Sequence, residues 1–367
     1  MTFYNMKKRI SLKALLLLSL AILTLSCSEK GWNITDVKDI AVGAGDSLFF
    51  ISKKDKHQFS VNCGQISLIR DDMALILKES RYGYIDEDGE QTIPDVYKYA
   101  TTFNNNMAWV VRNGDIPGAI NRKGELKFSL REVDWVEVYI EDMARYYTIE
   151  KKQKRYGFAN TLGEKVIQPI YYDATCFSEG LAAVKGLDNK WGYIDKTGTV
   201  IVPANFDGAK IFIGDRAVVA TEGKWGVIDK TGAFILEPRF DDMTADGELF
   251  IALNDDKWGW CDINGEWVIE PNFDMILPFR EADIAPVLIN GKWAYVDKQG
   301  EVVIKRQFDE AYPFVEDLAL VKIGDYYGFI NNKGVYKINP QYTYISPDYI
   351  SNAIYGFTFY SAVSSDR

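Results

Sequence analysis

From residue 68 onward, short runs of alternating apolar and polar residues recur between glycine-bearing turns, which predicts strand after strand and no long helix. In "KWGYIDKTG", Lys190 to Gly198, the side chains of Trp191, Tyr193 and Asp195 point one way and those of Gly192 and Ile194 the other. Both faces are apolar, so the strand is expected to be covered on both sides. Gly192 would then admit a neighbouring sheet at close range. After the turn comes "TVIVPANFD", then a loop, then a small-residue strand such as "LAAVK". Pro203, Pro238 and Pro271 are expected to end the third strand of their units, because proline cannot donate to a ladder. Each unit reads as a meander of at least three strands. A fourth strand would lie in stretches such as "FDGAKIF" and "FDEAYPF".

The nine-residue phrase returns as "KWGVIDKTG" at Lys224, "KWGWCDING" at Lys257 and "KWAYVDKQG" at Lys292. Aligned on the residue after the aromatic, the series runs Gly83, Gly118, Gly157, Gly192, Gly226, Gly259, Ala294 and Gly328, in steps of 33 to 39 residues. A period of this length marks an array of stacked units. A second glycine follows at a constant six residues, from Gly89 to Gly334. Three residues before it stands Asp or Asn: Asp86, Asn121, Asn160, Asp195, Asp229, Asp262, Asp297 and Asn331. Asp or Asn first and glycine fourth suits a type I turn with a left-handed glycine closing a tight hairpin. Calcium ligation is the alternative use of these oxygens, but each turn offers one, whereas calcium takes six to eight. Turn capping is therefore expected, and no metal or cofactor.

The motif set "KWGYIDKTG", "VIxPxFD" and "GLAAVK" resembles the WG (KWG) repeat family of bacterial proteins, with eight copies over 68–349. Pro117 replaces the aromatic in the second copy, Ala294 replaces the glycine in the seventh, and tyrosine stands in at Tyr82, Tyr156 and Tyr327. The resemblance implies a surface or envelope repeat protein with no catalytic set to carry over. The expected fold class is all-β, with tandem meanders of about 35 residues closed into a β-propeller. An open β-solenoid of hairpins is the alternative. Residues 27–67 would supply a linker and capping strands, and 350–367 a terminal strand or tail.

The start of the chain changes the picture of where it works. Lys7, Lys8, Arg9 and Lys13 precede an apolar run from Ala14 to Leu25, too short for a comfortable membrane span and arranged like an export signal of residues 1–26. "LTLSC" resembles a lipobox whose Cys27 becomes the lipid-bearing first residue, although Thr24 and Leu23 depart from the usual form and leave ordinary signal cleavage open. The chain carries a net charge of −10, and loss of residues 1–26 makes it −14. That balance, with no compensating basic run, argues against nucleic acid as a partner. Cys63, Cys176 and Cys261 have neither zinc spacing nor a close pair, so no disulfide framework is implied.

Chemistry is sparse. The single histidine, His57, sits among lysines in "KKDKHQF" and reads as exposed. There is no phosphate-cradling glycine loop and no two-histidine metal motif. The expected function is thus a binding or scaffold module, membrane-anchored on the periplasmic or outer side, whose partner is an envelope protein or glycan. Catalysis is not expected. A glycan-binding or glycan-processing protein using aromatic and carboxylate residues is the alternative. The candidate binding site is the one long step in the repeat, between Gly118 and Gly157, where four extra residues would form a loop. It carries Trp135, Tyr139, Tyr146 and Tyr147, then Lys151, Lys152, Lys154 and Arg155. Core packing of these rings is the plainer alternative.

Overall fold

In the computed structural model the described residues form nine four-stranded antiparallel sheets. The structure describes residues 39–354 except 45–46, 53–57, 62, 64, 68, 281, 316, 347–348 and 351–352. The expected signal segment 1–26, Cys27, His57 and the tail beyond 354 lie outside the described residues.

Eight sheets, blades 2 to 9, span 65–97, 99–129, 135–171, 173–206, 208–240, 242–273, 275–308 and 310–342. Blade 1 joins the two sides of the chain. Asp39–Ala44, Ser47–Ser52 and Gln58–Val61 supply three strands, and Tyr344–Ile345 supplies the fourth. Gly43 pairs with Tyr344 and Val42 with Ile345, while Tyr344 packs against the apolar cluster of blade 2. The architecture is a β-propeller whose first sheet is shared by both ends, a join that an open row of hairpins would lack.

Strands within a blade are lettered a to d in the order of the meander. Strand b, such as Leu181–Lys185, and strand c, such as Trp191–Asp195, are mostly buried. Strand d is the outer edge: Val200, Ile201, Phe234 and Ile235 on it are all exposed. In blades 2, 5 and 8 a tyrosine two residues after the tryptophan position fastens the blade to the next. Tyr84, Tyr193 and Tyr295 donate their hydroxyls to the carbonyls of Thr101, Lys210 and Tyr312 on the following strand a, at 2.7, 2.7 and 2.9 Å. Their rings meet Phe103, Phe212 and Phe314 edge-on at 4.8, 4.8 and 5.3 Å.

The motif glycine has a different reason from the expected one. A Cβ on Gly226 would lie 2.4 Å from the Leu236 carbonyl oxygen and 2.7 Å from the Pro238 nitrogen, both in its own blade. Strand d bulges there: Trp225 pairs with Phe240 and Val227 with Leu236, so four residues of strand d span two of strand c. Gly192, Gly259 and Gly328 meet the same bulge. The close neighbour is therefore the blade's own edge strand, not another sheet. The prolines do not end their strands either. Pro203, Pro238 and Pro271 sit inside Val200–Phe206, Phe234–Phe240 and Trp267–Phe273, on an outer edge where a missing N–H breaks no ladder.

The turns form as the spacing implies. Gly198 has φ of 87° and its N–H donates to the Asp195 carbonyl at 2.9 Å. Asp195 Oδ1 accepts the N–H groups of Thr197 and Thr199 at 2.8 and 2.9 Å. Asp86, Asn121, Asn160, Asp229, Asp262, Asp297 and Asn331 cap their turns in the same way. One oxygen of each is thus committed to the backbone.

Candidate functional site

An antiparallel meander places its a–b and c–d turns at one end of the ring, here the upper end. The b–c tips and the links to the next blade lie at the lower end. At the upper end acidic side chains clasp successive blades. Glu141 accepts the N–H groups of Glu179 and Gly180 at 2.6 and 2.9 Å, and Glu179 accepts those of Gly214 and Asp215 at 2.6 and 2.9 Å. Asp246 accepts from Phe279, Arg280 and the Trp260 indole at 2.8, 3.1 and 2.9 Å. Burial pushes the Asp246 carboxyl above the usual carboxylate range, and these three bonds oppose the rise.

At the lower end the lysine of the "KWG" phrase meets the aspartate of "FD". Lys224 pairs with Asp241 at 2.6 Å, Lys292 with Asp309 at 2.7 Å, and Lys190 with Asp207. Asp207 and Asp309 also accept the N–H of Glu222 and Gly324 from the following blade, both at 2.8 Å. The lysine hydrogen bond comes first among the causes that hold Asp207, Asp241 and Asp309 below the ordinary range.

The pair is absent from blades 2, 3, 4 and 9: blade 3 has Ile116 at the lysine position, blade 9 has Tyr326 and Thr343, and blades 2 and 4 carry basic residues. In blade 4 Arg155 takes the lysine position and Tyr172 the aspartate position; the guanidinium lies 4.0 Å from the ring centroid. In blade 2 both positions are basic, Arg81 and Lys98. Arg81 donates to Asn113 Oδ1 at 2.9 Å, and Arg112 lies over Tyr97 at 5.5 Å. Arg81, Lys98, Arg112, Lys151, Lys152, Lys154 and Arg155 form no ion pair among the described residues, and Glu79, Asp115, Asp134 and Glu150 share their rim. The sequence signal for this surface was present in the departures from "FD", and Lys98, Arg112 and Tyr172 went unmarked.

The four aromatics expected to bind a partner do other work. Tyr139 and Tyr146 are buried, at 1% and 0% exposure. Tyr139 stacks on Trp109 of blade 3 at 5.5 Å, and the Tyr146 hydroxyl donates to the Ile167 carbonyl at 3.2 Å. Trp135 is half-buried, with Tyr99 at 4.0 Å and Tyr147 at 6.4 Å from its ring. Lys154 in turn lies 4.3 Å from the Tyr147 centroid. These rings form a column, because the strands stack them across two blades.

The extra residues also make no loop. They lengthen the hairpin of Met143–Glu150 and Gln153–Asn160 to eight paired positions, against six in blade 6. The two added pairs raise its tip by roughly 7 Å. Lys151 and Lys152 form the turn, with φ of 49° and 67°. Below it, Arg145 grips Glu137 through two nitrogens at 2.9 and 2.7 Å, donates to the Ala174 carbonyl and lies over Tyr156 at 5.3 Å. The long hairpin is thereby held to the first strand of its own blade and to blade 5, with a tip carrying Lys151, Lys152, Lys154 and Arg155 against Glu150.

Residues 82–114, and six consecutive windows over 156–352, match the family model described as WG containing repeat. No curated protein matches the chain. Among solved structures, a eukaryotic initiation factor is similar at a TM-score of 0.60 and 10% identity, over 84% of this chain and 98% of that one. AztD of Citrobacter koseri follows at 0.44 and 13%, over 84% and 96%. BamB from Moraxella catarrhalis stands at 0.37 and 12%, over 82% and 92%. The first of these likenesses is one of fold alone. Since the matched repeats cover more than half its length, the chain belongs to the WG repeat family.

Proposed function

We propose that this propeller is a binding or scaffold module, exported and held at a bacterial envelope by a lipid on Cys27, which captures its partner on the lower end of the ring. The observation that carries the reading is the break in the lower-end pattern. In blades 5 to 8 Lys and Asp of the motif neutralise each other and tie blades together, whereas blades 2 and 4 put basic residues there with no acidic partner. The basic start, the short apolar run and the Ser26-Cys27 boundary motivate the anchor. Asp39 begins a strand b and so lies at the upper end. The described chain thus enters the ring at the end opposite the cationic rim.

Replacing Cys27 with alanine and fractionating the cells tests the anchor: the wild type is expected with membranes and the variant in the soluble fraction. A variant that still partitions wholly with membranes would refute it. Binding without turnover is the second part of the reading. Incubating the purified protein with cell-wall and other polysaccharides is expected to leave them intact, and reproducible cleavage would overturn it.

A further inference from the structure

Resting on the binding role just proposed, we infer that the lower rim of blades 2 to 4 is a docking surface for an acidic polysaccharide, a chain of sugars bearing carboxylate or sulfate groups. The cations do not converge on one point. Arg81 and Lys98 belong to blade 2 and its link, Arg112 to blade 3, and Lys151, Lys152, Lys154 and Arg155 to the long hairpin of blade 4. Lys98, Arg112, Lys151, Lys152 and Lys154 are exposed. A spread of charges along an arc suits a polymer with repeated anions, which can satisfy several sites in turn.

The charge density of the ligand follows from the rest of the chain. A protein of net charge −10, with Glu79, Asp115, Asp134 and Glu150 interleaved on the same rim, repels a dense polyanion such as duplex nucleic acid, with a charge about every 1.7 Å of axis. A polysaccharide with about one charge per sugar leaves gaps in which those carboxylates are tolerated. The form of the surface argues against a lipid bilayer as the occupant. The hairpin tip stands roughly 7 Å above the other tips and would hold a flat anionic sheet off the remaining cations. Three of the cations also lie over rings, Lys154 on Tyr147 at 4.3 Å, Arg155 on Tyr172 at 4.0 Å and Arg112 on Tyr97 at 5.5 Å, which fixes charges that would otherwise lose side-chain entropy on binding.

Affinity electrophoresis of the purified mature chain tests this, in gels containing polygalacturonate, chondroitin sulfate or neutral dextran. The wild type is expected to be retarded by at least one acidic polymer and not by dextran, with retardation falling as salt rises. The double variant Lys151→Glu/Lys152→Glu should weaken binding about tenfold, the order expected when two of several ionic contacts are lost. Lys333→Glu, an exposed charge at the upper end, should change nothing. Arg112→Glu, on another blade, should weaken binding as well, so a folding defect in one variant leaves the other to decide. No retardation by either acidic polymer, or equal retardation of wild type and both rim variants, overturns the inference. So does binding to phosphatidylglycerol vesicles or duplex DNA in the absence of polysaccharide binding. The gel reads the ring and the Cys27 fractionation reads the anchor, so either can fail alone.

Discussion

Replacing Gly226 with alanine puts one methyl group where backbone already stands. The new Cβ would lie 2.4 Å from the Leu236 carbonyl oxygen, 2.7 Å from the Pro238 nitrogen and 2.9 Å from the Glu237 carbonyl carbon. An ordinary contact begins near 3.4 Å, so strand d of blade 6 must retreat by about 1 Å. None of the three atoms is the end of a flexible side chain. The retreat strains the pairing of Trp225 with Phe240 and Val227 with Leu236, and a cost of about 1–3 kcal/mol is expected from overpacking of this kind. Gly223 is the control. Its φ is 76°, and a Cβ there meets nothing within 4 Å, so Gly223→Ala carries only left-handed strain of about 1 kcal/mol. The chain also supplies a compensation, since blade 8 has Ala294 opposite a strand d with Arg306 where blade 6 has Pro238. Adding Pro238→Arg to Gly226→Ala should therefore recover part of the loss. Denaturant unfolding gives the free energies, and amide exchange should localise the loosening to residues 224–240. An unchanged midpoint for Gly226→Ala, or a loss that Pro238→Arg leaves undiminished, would refute the bulge as the reason for glycine.

Tyr193→Phe deletes the 2.7 Å bond to the Lys210 carbonyl between blades 5 and 6, and should cost about 1 kcal/mol in the same unfolding assay; no change would mean the ring alone joins the blades. Asp229→Asn should be nearly neutral because Asn121, Asn160 and Asn331 cap equivalent turns. Asp229→Ala should destabilise, since the N–H groups of Thr231 and Ala233 lose their acceptor. The lysine bond holds the Asp241 carboxyl below its unfolded value, so its contribution is full above about pH 4 and is lost as pH falls through the depressed folded value. Asp241→Asn should accordingly be less stable than the wild type near neutrality, with the gap closing at low pH; a gap that stays constant across an acid titration would contradict the pairing.

How much of this was legible depended on whether the responsible contact was local. The turns were, because Asp195, Thr197 and Gly198 lie within four residues and spacing alone specifies their bonds. The need for a small residue at Gly226 was legible too, but its neighbour was not, since only the register of strand d reveals the bulge. The count of sheets escaped for a related reason. Asp39–Ala44, Ser47–Ser52 and Gln58–Val61 carry no Asp-x-x-Gly turn, and their fourth strand lies some 300 residues away in the chain. For the site, residue type gave the region without the roles. An aromatic residue reads the same whether its faces are open or covered, and Trp135 is covered by Tyr99, a ring from the preceding blade.

Within an array of this kind, a residue that matches the repeat is explained by the repeat. Lys224, Gly226, Asp229, Pro238 and Asp241 each have a partner that the architecture requires, and the same partners recur from blade to blade. The informative positions are those where the backbone geometry persists although the chemistry changes. Arg155 over Tyr172 is such a place: the two side chains still meet, but a cation on a ring has replaced a neutralised ion pair, and the half-buried charge has no acidic partner. The long hairpin adds a second departure on the same blade and the same end of the ring, and its two extra pairs carry Lys151 and Lys152 outward. Packing requires neither change, because blade 6 closes with the ion pair and the shorter hairpin. Their coincidence at one rim is the departure from the repeat on which the proposed docking surface rests.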